Sequence, residues 1–154
     1  MPAIRYLTTE PIAAERVVSC ALQGESRAGA AAVFLGIVRA DVEQGRAVQA
    51  LSYEAYDVMA QVQLEQLLAR AMVRWPIERV YLRHRLGRVP VGEIALAVVV
   101  TTPHRKEAFA ALRFLVDRIK QDVPIWKRTQ YDDGTQGWAG EMDKVHREGS
   151  HAVV

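Results

Sequence analysis

The segment EIALAVVVTTPHRKEAFAALRFLVDRIKQDVP, residues 93–124, changes its apolar period at one point. Up to Thr102 it is a continuous run of small and β-branched residues, the pattern of a strand covered on both sides. After Pro103, the side chains of Ala108, Phe109, Leu112, Leu115, Val116 and Ile119 recur at helical spacing. A strand that feeds straight into a long helix, with the joint at Thr102 to Arg105, requires an architecture in which helices bury a face against a sheet.

The rest of the chain extends this reading. TTEPIAAERVVSCALQ offers Thr8 or Thr9 as an N-cap and Ile12, Val17 and Leu22 at helical spacing. GESRAG breaks it. AAAVFLGIVR, residues 30–39, reads as a strand buried on both faces, and VQALSYEAY as a second strand pairing with it in a hairpin around Gly45. A helix is predicted from about Asp57 to Arg74, with Leu64, Leu67, Leu68, Ala71 and Met72 on one stripe, stopped by Pro76. ERVYLRHRLG alternates Val80 and Leu82 with Arg83 and Arg85, as a half-exposed strand would. GRVPVGE is expected to be a turn-rich connection, KRTQY a strand, and DDG a turn, with a polar tail from about residue 139. The order predicts an α+β or mixed α/β fold, and 154 residues suit a single domain, 1–154.

Composition removes several function classes. The formal charge of +2 is too small for a general nucleic-acid binder. Basic residues are not interleaved with aromatics, so RNA binding is a weak alternative. No signal peptide or membrane-length apolar run is evident, which points to the cytoplasm without membrane association. The single cysteine, Cys20, is expected to pack in the core, and the four histidines lack metal-site spacing.

Positive charge instead collects in short clusters: Arg39 at a strand end, His104 and Arg105 at a helix start, Lys120 at that helix's end, and Lys127 with Arg128 beyond it. A helix N-terminus presents unpaired N–H groups to anions, and arginine there adds a forked contact. Pro124 drives Val123 out of helical dihedrals, so the chain turns and carries Lys127 back toward Lys120, with Ile125 and Trp126 as packing anchors. Two ammonium groups held together lower each other's pKa and free an amine for base or nucleophile chemistry. A lysine in a last helical turn is also favoured by the macrodipole alone.

The ordered set GAAAVFLGIVR, LSYEAYDVMA, RWPIERVYLRHRLG, VGE, TTPHRKEAF and VDRIKQDVPIWKR resembles the large, catalytic subunit of molybdopterin synthase, the MoaE family, over nearly the whole chain. The resemblance implies an α/β-hammerhead type of fold and an enzyme converting cyclic pyranopterin monophosphate into the dithiolene-bearing molybdopterin, with no cofactor and no metal. Sulfur would come from a thiocarboxylate at the C-terminus of a small ubiquitin-like subunit, in a heterotetramer built on a homodimer of large subunits. The substrate-contacting positions it implies are Ile37, Val38, Arg39, His104, Arg105, Lys120, Lys127, Arg128 and Thr129. Arg39, His104 and Arg105 would hold the phosphate, and Lys120 and Lys127 would anchor the partner's tail and shuttle protons. The sequence departs from the family at Thr129, where PIWKRE is usual, so a carboxylate is missing. That departure keeps open a binding subunit that has lost catalysis. Phe114, off the Phe109 to Ile119 stripe, is expected either in a subunit contact or under another element of the same chain.

Overall fold

The computed structural model describes residues 5–24 and 27–138. Along the chain run β1 (Leu7–Thr8), α1 (Ala14–Ala21), β2 (Ala30–Ile37), β3 (Val42–Glu43), β4 (Arg46–Ala55), α2 (Asp57–Arg74), β5 (Arg79–Arg85), β6 (Gly87–Pro90), β7 (Ile94–Thr102), α3 (Arg105–Asp122), β8 (Ile125–Tyr131) and β9 (Gln136–Trp138). The expected polar tail from about residue 139 lies outside the described residues. One sheet has the order β1-β5-β7-β2, the other β3-β4-β8-β9 with β6 also on β4. This is a mixed α+β fold, as the alternation of periods predicts.

Strand β7 is central because it is apolar from Ile94 to Val100 and covered from both sides. Its even-numbered residues Leu96, Val98 and Val100 join Leu82 of β5 beneath Leu64, Leu67, Leu68 and Ala71 of α2 and Ala111, Leu115 and Ile119 of α3. Its odd-numbered Ala97 and Val99 meet Val17 and Ala21 of α1 on the opposite face. A third cluster, Val38, Val89 and Ala95 with Leu51 and Tyr53, forms where the second sheet meets the first.

Several expectations need correction. The anticipated hairpin does not form: β2 lies antiparallel to β7 over its whole length, while β4 pairs with β3, β6 and β8. β7 offers β2 a continuous apolar partner, which the more polar β4 does not. As an edge strand β2 is covered by α3 on one face, and Val33 and Ile37 stay exposed, so it is not buried on both faces. Thr8 and Thr9 do not cap α1. Thr8 belongs to β1, its Oγ accepts from Glu10 N–H, and Ala13 occupies the N-cap. Leu22 and Cys20 are exposed rather than in the core, because α1 is short and only Val17 and Ala21 reach the sheet.

On α2 the stripe stands, except that Met72 is exposed and Ala60 takes its place. On α3 the buried line is Ala108, Ala111, Leu115 and Ile119, and Phe109 is 66% exposed. Phe114 instead packs against Trp75 at 5.2 Å, so another element of the same chain covers it. Arg85 of β5 is buried and pairs with Glu93 at 2.5 Å rather than facing solvent. GRVPVGE contains a strand, β6, whose Val89 is fully buried against the second sheet.

Candidate active site

Arg39 is aimed by the residue before it. Val38 donates its N–H to the Glu93 carbonyl at 3.1 Å and accepts from Gly92 N–H at 2.9 Å, which pins it in the third cluster with 2% of its surface exposed. The next side chain must therefore leave the core, and Arg39 stands in solvent, bridged to Asp41 at 2.9 Å. Ile37 beside it is also exposed.

Lys120 occupies the last turn of α3, one residue past the buried Ile119. Its ammonium lies 5.8 Å from the centre of the Phe34 ring on β2, a cation–π arrangement that places the amine over the sheet rather than out along the helix axis. Val123 has the extended dihedrals that Pro124 demands (φ −82°, ψ 131°), so α3 ends at Asp122 and β8 begins at Ile125. Ile125 packs on the main core and Trp126 sets its ring edge-on to Tyr56 at 4.9 Å, as expected of anchors.

On β8 the rungs pair Lys127 with Tyr53, Arg128 with Ser52 and Thr129 with Leu51 of β4. Alternation puts Lys127 and Thr129 on one face and Arg128 on the other. Arg128 reaches Glu54 at 3.9 Å and Gln136 at 3.3 Å. Thr129 is buried and its hydroxyl bonds to Tyr131, whose own hydroxyl donates to Glu43 at 2.5 Å. The hydrogen bond to Glu43 is the largest influence raising the Tyr131 pKa. Thr129 thus turns its hydroxyl into that network rather than toward Lys127.

Two residues missed by sequence reasoning connect the lysines. Tyr53, the rung partner of Lys127, sets its ring edge-on to His84 at 5.0 Å. His84 is 7% exposed and shares a register row with Leu96 and Gly36 across the first sheet. Burial lowers its pKa to about 4, and the Lys120 charge adds to that lowering against a raising effect from the Arg85 carbonyl. Burial likewise raises the Tyr53 hydroxyl. Lys127 is thus the rung partner of Tyr53, Tyr53 abuts His84, and His84, which feels the Lys120 charge, lies at the end of the sheet where β2 delivers Arg39. Only the mixed period of YLRHRLG, with a histidine at an inward position, hinted at His84.

His104 and Arg105 do not join them within one protomer. His104 is the N-cap of α3 and Arg105 its first residue, both exposed. Fifteen residues of helix separate Arg105 from Lys120, about 22 Å at ~1.5 Å per residue. The expected cationic clusters therefore form two groups at opposite ends of α3.

The chain's relatives agree on a family. A family model described as MoaE protein matches residues 7–122. The molybdopterin synthase catalytic subunit of Halalkalibacterium halodurans is 37% identical over 133 residues, spanning 86% of this chain and 83% of that one. Molybdopterin synthase from Staphylococcus aureus superposes with a TM-score of 0.77 at 33% identity, covering 87% of this chain and 95% of that one. A complex of subunits 1 and 2 of molybdopterin-converting factor from Helicobacter pylori contains the same fold, with a TM-score of 0.72, 23% identity and coverage of 89% and 90%. With its strand-to-helix joint, its two lysines and its Arg39 strand end in the family's order, this chain belongs to the MoaE protein family.

Proposed function

We propose that the chain is the catalytic subunit of a molybdopterin synthase, a cytoplasmic sulfurtransferase. It carries sulfur from the thiocarboxylated C-terminus of a small ubiquitin-like subunit to cyclic pyranopterin monophosphate, giving the dithiolene. What supports this reading is the rung pairing of Lys127 with Tyr53, the contact of Tyr53 with His84 and the Lys120 charge felt by His84, at the sheet end that leads to Arg39. Lys120 and Lys127 anchor the incoming peptide tail and move protons as the carbon–sulfur bonds form; Thr129 lies on the Lys127 face of β8, and Arg128 meets the substrate only from the opposite face, where Glu54 and Gln136 hold it. Arg39, with Ile37 and Val38 beside it, meets the phosphate. The Helicobacter pylori relative of this fold was solved as a complex of two subunits, which fits a small-subunit partner here. Among the described residues no helix is long and apolar enough to cross a membrane.

His104 and Arg105 complete the site from a second copy. β2 is an uncharged edge strand, AAAVFLGI, with Val33 and Ile37 exposed. Edges of this kind pair with another chain. Two copies joined antiparallel along β2 set Ala30 of one beside Ile37 of the other. Since Ala30 is paired with Thr102, just before α3, His104 and Arg105 of the partner subunit arrive at the Arg39 and Lys120 end.

The test is reconstitution of the purified chain with thiocarboxylated small subunit and cyclic pyranopterin monophosphate, reading dithiolene product. Lys120→Ala is expected to reduce turnover by a factor of a hundred or more, on the order of a lost general acid–base group, with the fold intact by circular dichroism. Tight binding of the small subunit without any turnover by the wild-type chain would favour the binding-only reading, whose support is the buried Thr129.

A further inference from the structure

We infer that Asp41 is a positioning residue of this site, holding the Arg39 guanidinium by its Nε edge so that the two Nη groups face the substrate's phosphate. The inference rests on the reading of Arg39 as the phosphate contact. Arg39 Nε donates to Asp41 Oδ2 at 2.9 Å. The two side chains are unequally covered, with Arg39 83% exposed and Asp41 36%. An exposed ion pair contributes little when both side chains must be ordered to make it. Here the backbone of the carboxylate partner is already fixed. The Asp41 N–H donates to the Arg39 carbonyl at 3.0 Å, and the Asp41 carbonyl accepts from Val48 N–H at 2.9 Å.

The hairpin that starts directly after Asp41 is tied to β8, the strand that carries Lys127. β3 pairs with β4, Tyr131 of β8 donates its hydroxyl to Glu43 of β3 at 2.5 Å, and Ala47 of β4 exchanges hydrogen bonds with Asp132, 2.9 Å through its carbonyl and 3.1 Å through its N–H. On the other side of Asp41 stands the buried Val38, pinned by Glu93 and Gly92. Asp41 is therefore held between two anchored segments. A guanidinium offers two forks, one from Nε with an Nη and one from the two Nη groups. With the carboxylate on Nε and most of the Arg39 side chain in solvent, the Nη–Nη fork stays open to a bidentate phosphate contact. An arginine on an unrestrained stem loses rotamer freedom when it meets an anion, and Asp41 removes part of that freedom beforehand. The carboxylate and the phosphate sit on different edges of the guanidinium at a solvated surface, where water and salt screen their repulsion.

Two measurements test this. The first needs no turnover. In ¹⁵N-labelled protein the Arg39 Nε–H, assigned by its loss in Arg39→Lys, is expected to exchange with water several-fold more slowly in the wild type than in Asp41→Ala. Inorganic phosphate is expected to shift that resonance with a Kd several-fold lower in the wild type. Equal exchange rates, or phosphate affinity that is equal or higher in Asp41→Ala, overturns the proposal whether or not the chain makes molybdopterin. The second measurement uses the reconstituted synthase. Asp41→Ala is expected to raise KM for cyclic pyranopterin monophosphate about tenfold with kcat within about twofold, and Asp41→Asn, which keeps an oxygen acceptor for Nε, to recover most of that loss. In an Arg39→Ala background, adding Asp41→Ala is expected to cost nothing further. Additive losses in the double variant, equal losses in Asp41→Ala and Asp41→Asn with equally lowered melting temperatures, or a KM that is unchanged or lowered in Asp41→Ala also overturns it.

Discussion

His84 shows how one buried side chain ties stability to pH. Burial, reinforced by the Lys120 charge, holds it near 4 in the folded chain against about 6.5 when unfolded. The unfolded state thus binds more protons between those values, and stability rises with pH through that window. The contribution is fully present above about pH 6.5, falls as pH drops toward 4, and spans on the order of 3 kcal/mol. Urea unfolding at pH 7 and pH 4.5 is expected to show this loss in the wild type and a smaller one in His84→Gln. At Gly29 the constraint is steric. A Cβ there would stand 2.4 Å from the Pro103 carbonyl oxygen, a backbone atom at the joint before His104. Gly29→Ala is expected to cost about 1–3 kcal/mol in the same measurement. Neither effect was legible in the chain, because a histidine or glycine carries no mark of what other strands bring against it.

Helix α3 illustrates what periodicity leaves undecided. Two overlapping apolar lines run along it, and counting 100° per residue does not say which one meets the sheet. The larger side chains favoured the line through Phe109. The structure buries Ala108, Ala111, Leu115 and Ile119, because alanines let the helix backbone approach β2 and β7 closely, and Phe109 is left outside. Leu115→Ala, at a fully buried position, is expected to destabilise by about 2–5 kcal/mol, whereas Phe109→Ala should change monomer stability little. Thermal unfolding of both variants checks the contrast. At β2, Val33→Glu places a charge on the exposed edge and is expected to shift the chain toward a monomer in sedimentation velocity, with turnover lost alongside.

Across the whole molecule, the length of α3 between Arg105 and Lys120 underlies the proposal that two chains build the site. If His104 and Arg105 act on the partner's lysines, mixing inactive Lys120→Ala and Arg105→Ala chains rebuilds one intact site in each mixed dimer. Random pairing makes about half the dimers mixed, so roughly a quarter of wild-type activity should return. No recovery on mixing, with subunit exchange verified by mass spectrometry, would place both residues in one chain's site. The sequence by itself determined the elements whose cause is local: the change of period at Thr102, the stop at Pro124, the stripe of α2, and the basic clusters at element ends. Their identity as a family set was legible for the same reason, since order and spacing survive without coordinates. The tertiary structure alone decided that β2 pairs with β7, that Tyr53, the rung partner of Lys127, meets His84, and that Arg105 lies a helix length from Lys120. Pairing and proximity come from which apolar faces can be buried together across long stretches of chain, and no short window of residues contains that choice.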